Sequence, residues 1–374
     1  MKLLKNQPQV AVLDIGSGKI SVMVGKQTKD GFLIVAQSEV RYAGYYDGVW
    51  LDPARLPQDI ATVLQQAENS LGKKIKEIYV GVPGGFTTVA ASEATFTCRY
   101  KKKFDKSDIA DIFAKSNLYQ EDIAFKAINR APIYYVVNDV ERTIDPIGKV
   151  GTKLNGLISY VYADVAFVKK LERILNELGV SKVEFVSGSL AESLFLLDPK
   201  TRDNYAILID VGYISTTVML VCGDGIVFMK SFSIGSGNIS ADLCEVLDIG
   251  YNMAEDLRGK INLNLEFDSE DVYQLRNGQT ANAEKTNQIV KARIDDIAYY
   301  LSKCMQLCPY VIEKSAPVFL TGGGLCYLKG GAEYLSYALD KEVRIAHSSN
   351  PLTDKPQYAS AFGIIDIALK TKLS

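Results

Sequence analysis

Residues 206–220 read AILIDVGYISTTVML, and residues 10–24 read VAVLDIGSGKISVMV. Both are an apolar run, an Asp, an aliphatic residue, a Gly, a short polar turn and a second apolar run. Short apolar runs bounded by turn signals read as buried strands. Each stretch is therefore read as two strands joined by a tight turn, with Asp14 and Asp210 at equivalent positions before it. The turns differ in bulk. The first is Gly16-Ser17-Gly18, and the second carries Tyr213 and Ile214.

The likeness extends outward from the two turns. After Val24 a hairpin turn at Asp30-Gly31 leads into FLIVAQSEV, and after Leu220 a turn at Gly223-Asp224-Gly225 leads into IVFMKSFSIG. The stretch LPQDIATVLQQAENSLG has apolar residues at helical spacing and predicts a helix that starts after Pro53 and ends at Gly72. IKEIYVGVPG then reads as a buried strand. Two copies of a three-stranded start predict a duplicated α/β domain with a cleft between its halves. Between the copies, residues 86–166 change character. KKKFDKSDIADIFAKSN reads as helical and charged, with Lys101, Lys102 and Lys103 a solvated run, and the stretch to Asp164 reads as strands and turns. This is a compact inserted α+β unit. Residues 241–314 read as mainly helical. PVFLTGGGLCYLKGGAEYL reads as strand, glycine turn and helix, and QYASAFGIIDIALK as an apolar helix.

Length and composition bound the function. The 374 residues suffice for two or more packed units, and 23% charged with 47% hydrophobic residues is ordinary for a globular chain. A net charge of −2 provides no basic field for nucleic acid. Six scattered cysteines and one histidine, His347, make no zinc pattern. Cys304 and Cys308 can share a helix face, but cysteine is often only a small buried residue. MKLLKNQPQV lacks the apolar core of a signal peptide, and no apolar run approaches the ~20 residues of a membrane span. A cytoplasmic location is expected.

Three small-residue turns follow apolar strands: Gly16-Ser17-Gly18, the turn after Gly212, and Gly322-Gly323-Gly324. Glycine lets backbone N–H groups approach phosphate oxygens closely, and Ser17 and Lys19 add a hydroxyl and a positive charge. A single glycine turn after a strand is commonly only a turn. Three in this order, with Asp14 and Asp210 facing one another, point to a nucleotide cleft. Two aspartates suit hydrated Mg²⁺, which keeps several waters and takes few carboxylates.

The order of first phosphate loop, second phosphate loop and Gly-rich adenosine loop resembles the actin, sugar-kinase and chaperone superfamily. The insert narrows the resemblance. AINRAPIYYVVNDVERTIDPIGKVG, with Asp145-Pro146, Gly148 and Gly151, is similar to the insert of the bacterial cell-division protein family FtsA. DIGSGKI, KIKEIYVGVPG, SIGSGNISADL and AEDLRGKI are similar to stretches of that family, and together they span about residues 8 to 370. The resemblance implies an α/β fold, an actin-like duplicated domain with ribonuclease H-like halves and an inserted FtsA-type α+β subdomain. The first half would comprise 1–85, 167–205 and 355–374, the insert 86–166, the second-half core 206–240 and 315–354, and its helical subdomain 241–314.

It also implies ATP and Mg²⁺ in the cleft. The contributing residues would be Asp14, Gly16, Ser17, Gly18, Lys19, Asp210, Gly212, Ser215, Thr216, Gly235, Glu255, Arg258, Gly322, Gly323 and Gly324, with Asp14 and Asp210 at the metal. Glu255 and Arg258 stand where the family has an acid and a base near adenosine. The implied partners are further copies in a protofilament, the FtsZ C-terminal tail and other division proteins. The membrane would be reached indirectly or through a segment outside this chain, at the cytoplasmic face of the cell membrane at the division site. The chain stops at LKTKLS, directly after the last core helix, where the family normally continues into a linker and an amphipathic helix. Ala359–Leu369 is expected to pack in the core.

No catalytic residue is assigned. Hydrolysis needs a group that orients water, yet VEFVSGSLAES has Ser187, Gly188 and Ser189 where an acid is expected, and Thr217 follows the second loop where many relatives carry an acid. Glu192 falls inside the following helix and reads as structural. Bound nucleotide with weak or no turnover is expected. The alternatives are a PilM-like pilus-assembly protein, which tolerates a less glycine-rich second loop, and a small-molecule kinase. Tyr213 and Ile214 cannot easily take positive φ, so the second loop should follow its own backbone path, with Tyr213 able to cover the phosphates.

Overall fold

A computed structural model describes residues 7–116 and 124–373. Parts of three stretches read above lie outside the described residues: residues 1–6 of MKLLKNQPQV, residue 117 of the charged helix and residue 374 of LKTKLS.

The duplication is carried by two five-stranded sheets. In the first, Gln9–Ile15 pairs antiparallel with Lys19–Thr28, which pairs antiparallel with Gly31–Arg41. On its other side Gln9–Ile15 pairs parallel with Glu77–Val82, and that strand pairs parallel with Lys182–Ser187. The second sheet repeats the order with Ala206–Val211, Thr216–Cys222, Gly225–Phe232, Val318–Thr321 and Val343–Ile345. The registers agree as well. Asp14 lies opposite Ser21 and Gly81, and Asp210 lies opposite Thr217 and Thr321. Each Asp thus ends a central strand whose flanking residues are buried on both faces, as in Val12, Leu13 and Ile15, or Leu208, Ile209 and Val211.

Helices cover the sheets where the apolar spacing requires it. Leu56–Leu71 buries Leu56, Ile60, Val63, Leu64 and Ala67 and ends at Gly72, with φ of 66°. Asp164 caps Val165–Glu177 by accepting from the N–H groups of Ala166 and Phe167. Ala359–Leu373 packs Ala361, Ile364, Ile365, Ala368 and Leu369 against Val10, Val12 and Tyr79 of the first sheet. The apolar C-terminal stretch is therefore a core helix, as its composition suggests.

The segment between Phe86 and the helix at Val165 forms a four-stranded antiparallel sheet in the order Thr87–Lys103, Val150–Asp164, Phe125–Val137, Glu141–Thr143. A helix, Lys106–Ser116, packs against it. This helix starts later than the run KKKFDKSDIADIFAKSN predicts. Lys102 and Lys103 pair in register with Gly151 and Val150 and so belong to the strand. Lys102 then bridges to Asp105 and Asp108 at the helix start. The sheet is anchored on the second half, where the Ser159 hydroxyl donates to the Ile226 carbonyl at 2.6 Å.

In 241–314 the helices are the end of Ser236–Leu247, then Tyr251–Arg258 and Ala283–Gln306. A small hairpin, Val272–Gln274 with Thr280–Asn282, lies between the last two. Its strands are three residues each, too short for periodicity to reveal.

Candidate functional site

The two halves enclose a cleft of about 690 Å³. Lining it are Asp14, Gly16, Ser17, Gly18 and Lys19 from the first half, and Asp210, Gly212, Ser215, Gly322 and Gly323 from the second. Glu255 and Arg258 line it from the helix Tyr251–Arg258. The remaining three residues expected at the site support it from behind. Thr216 is buried, and its hydroxyl donates to the Ile234 carbonyl at 2.7 Å, so this hydroxyl is not turned to the cleft. Gly235 and Gly324 both press on the second loop: a Cβ on either would stand 2.7 Å from the Gly212 carbonyl oxygen.

Asp14 and Asp210 end their strands half-buried on the cleft wall. Desolvation holds the Asp14 carboxyl above the ordinary carboxylate range, against the opposing pull of the Ser360 hydroxyl and the Lys19 charge. Ser360 donates to Asp14 Oδ1 at 2.9 Å. Desolvation first, and the charge of Asp14 second, push Asp210 up to about 7. Glu192 joins them. It lies on the helix Gly188–Leu196, which Ser187 caps, and is only 3% exposed. Its side chain lines the cleft, and burial together with the charges of Asp210 and Asp14 raises its pKa well above normal. The structural role read from its place inside a helix is thus incomplete. Only packing of that helix across the cleft shows that Glu192 faces two aspartates.

These donors suit a hydrated magnesium ion. Among the described residues no three His, Cys, Asp or Glu side chains converge as a direct metal cage. Two hard carboxylates with room for water match an ion that keeps most of its water shell. The hydroxyls of Ser21 and Thr321, cross-strand neighbours of Asp14 and Asp210, are also buried without a hydrogen-bond partner.

The third turn differs in construction from the first two. Gly322 has φ of 90°, and a Cβ there would collide with Asp210 Oδ1 and the Val211 carbonyl. None of Gly212, Tyr213, Ile214 and Ser215 takes positive φ. Nor does any of Gly16, Ser17 and Gly18, and both turns close alike, Gly16 N–H donating to the Lys19 carbonyl at 3.0 Å and Gly212 N–H to the Ser215 carbonyl at 2.9 Å. The separate path expected for the bulky loop is not found, because this turn needs no left-handed residue and so accepts Tyr213 and Ile214. The Tyr213 ring lies between the first loop and the start of the helix Ser236–Leu247. A Cβ on Gly18 would stand 2.5 Å from the ring, and one on Gly237 3.0 Å. Glycine at both positions makes room for the tyrosine. Three successive N–H groups, of Tyr213, Ile214 and Ser215, donate to Ser17 Oγ at 3.2, 3.0 and 3.3 Å.

Toward the mouth, the Lys19 ammonium lies 3.0 Å from Glu39 Oε2 and 3.9 Å from the centre of the Tyr358 ring. Its charge is held at the rim rather than over the aspartates. Arg41, the cross-strand neighbour of Lys19, and Arg258 pair with Glu255 at 3.6 and 3.2 Å, and the Ser240 hydroxyl donates to Glu255. Beyond the residues expected from sequence, the site includes Tyr42, whose hydroxyl donates to the Gly16 carbonyl at 2.8 Å, and Tyr45, whose hydroxyl is 3.4 Å from Ser215 Oγ. Ser360 and Gln357 line it as well. They come from outside the glycine turns, and no local spacing signals them.

A sheet order repeated in both halves, with a cleft between them lined by paired strand-end aspartates, defines an actin-like protein. Solved structures agree on this fold. The PilM–PilN type IV pilus biogenesis complex is similar with a TM-score of 0.61 and 14% identity, covering 97% of this chain and 99% of that one. MreB5 of Spiroplasma citri bound to ADP is similar with a TM-score of 0.57 and 11% identity, covering 98% of each. The family model described as "Cell division protein FtsA" matches residues 207–363. Cell division protein FtsA of Bacillus subtilis is 20% identical over 375 residues, covering 98% of this chain and 85% of the relative. The Streptococcus pneumoniae protein of the same name is 23% identical over 365 residues, covering 95% and 79%. Within the actin-like class, the chain is similar to FtsA proteins, over residues 207–363 by the family model and over nearly its whole length by these relatives. Among the described residues no helix is long and apolar enough to cross a membrane.

Proposed function

We propose that this chain is an ATP-binding, actin-like adaptor of bacterial cell division. In this reading it assembles into protofilaments, binds the FtsZ C-terminal tail and links it to the cytoplasmic face of the membrane at the division site. The observation that carries the nucleotide reading is the cleft itself: Asp14 and Asp210, at equivalent ends of duplicated strands, meet between two small-residue loops. Asp14 and Asp210 would hold Mg²⁺ through its waters. Backbone N–H groups of the turns at Gly16–Gly18 and Gly212–Ser215 would take phosphate oxygens. Glu255, Arg258 and the Gly322–Gly324 turn would flank adenosine, with Gly235 and Thr216 shaping the second loop. Bound Mg²⁺ supplies charge neutralisation at the phosphates. FtsA names among the relatives support the division role.

Slow turnover belongs to the same reading. The helix start at Gly188 offers no acid, and Thr217 shares its hydroxyl with Ser231 at 2.8 Å. Glu192 lies inside the helix rather than at its start, and burial with two neighbouring aspartates raises its pKa well above the ordinary carboxylate value.

Pelleting of the purified chain with Mg-ATP, an FtsZ tail peptide and lipid vesicles tests the proposal. ATP-dependent filaments that carry the peptide into the pellet are expected. A PilM-like role in pilus assembly is the second reading, favoured by the whole-length structural likeness to PilM–PilN. Capture of a PilN peptide in place of the FtsZ tail would select it.

A further inference from the structure

Three consecutive backbone N–H groups aimed at one point form an anion-binding nest. In the second loop that point is taken by a side chain of the first loop: Ser17 Oγ accepts from Tyr213, Ile214 and Ser215 at 3.2, 3.0 and 3.3 Å. Ser17 is 5% exposed, so these bonds are made away from bulk water. The contact spans the cleft and joins the two halves. We propose that Ser17 is a displaceable latch, its hydroxyl oxygen standing where a phosphate oxygen binds and competing with it for the nest.

The chemistry makes the latch weak enough to open. A hydroxyl oxygen has two lone pairs and here faces three donors, so the nest is undersatisfied. It is also neutral. A phosphate oxygen carries charge, and charge-assisted hydrogen bonds are about twice as strong as neutral ones. Phosphate therefore wins the nest once it arrives, and Ser17 must rotate away. The Tyr213 ring against Gly18 holds the loops in register, and Gly237 N–H, donating to the Tyr213 carbonyl at 2.7 Å, holds the second loop to the following helix. Ser17 is the member of this contact with a free single-bond rotation, and so the part that opens.

The proposal rests on the nucleotide reading of the cleft only for its ligand arm. The test compares the full chain with Ser17→Ala and Ser17→Thr. Amide exchange read by mass spectrometry, without nucleotide, follows residues 213–215. Ser17→Ala is expected to speed their exchange about threefold to tenfold, the factor for one net hydrogen bond, and Ser17→Thr to retain the wild-type protection. In stopped-flow and calorimetric titrations Ser17→Ala should bind Mg-ATP faster and more tightly by a similar factor, with adenosine affinity unchanged. Unaltered exchange at 213–215 in Ser17→Ala overturns the latch whatever the ligand result. Weaker ATP binding by Ser17→Ala also overturns it, because Ser17 would then be a ligand and not a competitor. If the wild-type chain binds no ATP, the functional reading fails while the exchange arm still decides the latch.

Discussion

Asp210 carries the clearest pH signature. Its carboxyl titrates at about 7 in the fold against 3.8 for the ordinary group. Between those values the folded state holds a proton that the unfolded chain has released, so stability falls as pH rises from about 4 to 7 and then levels off. A sealed carboxyl would give about 1.4 kcal/mol per pH unit. Asp210 opens to cleft water and titrates together with Asp14 and Glu192, so the slope is shallower. Urea titrations across this range should show the fall, Asp210→Asn should flatten it, and Mg²⁺ should restore stability at pH 8. A stability that rises from pH 5 to 7 would contradict the arrangement. Gly18 offers a second test. A methyl there must displace the Tyr213 ring 2.5 Å away. Gly18→Ala is expected to cost about 1–3 kcal/mol in chemical denaturation, and most of that cost should vanish in a Tyr213→Gly background, since non-additivity marks direct contact.

At the scale of elements, the turn after Val318–Thr321 and the last helix make separate predictions. Gly322 needs left-handed backbone and contact distance to Asp210 at once. Gly322→Ala should therefore abolish Mg-ATP binding in calorimetry while the far-ultraviolet circular dichroism stays that of a folded protein. In the helix Ala359–Leu373, Ile365 is fully buried against Gly25, where a Cβ would collide with it. Ile365→Ala should cost about 2–5 kcal/mol by urea midpoint, the range for an emptied core position. A surface helix would lose far less. The helices Leu56–Leu71 and Ala359–Leu373 were legible because apolar spacing, a terminal glycine and composition all agreed. The strand through Lys103 was not, because three lysines in a row look like a solvated helix until the partner strand is known.

For the molecule as a whole, duplication was legible because each half repeats the same local grammar: apolar run, Asp, Gly, turn, hairpin. A repeated pattern constrains its copies to similar pairings, and both sheets have the same strand order and register at Asp14 and Asp210. The cleft was legible to the extent that its residues sit on those turns. Tyr42, Tyr45, Gln357 and Ser360 were not, because they reach the cleft from distant parts of the chain. If the halves close on nucleotide through both loops, Mg-ATP should raise the thermal midpoint of the whole chain in one transition, and Asp210→Asn should lose most of that gain.

By itself the sequence determined the two-half α/β architecture, the paired aspartates and the three turns around them, since strand patterning and turn chemistry are local properties of the chain. Only the tertiary structure decided which groups meet across the cleft. Glu192 faces two aspartates because its helix packs there, Lys19 is held at the rim by Glu39 and Tyr358, and Ser17 reaches the nest of a loop nearly two hundred residues away. Those are long-range contacts, set by how the halves pack rather than by any neighbour in sequence. Tyr213 shows both levels: its bulk is visible in the sequence, and the space that Gly18 and Gly237 leave for it exists only once the halves come together.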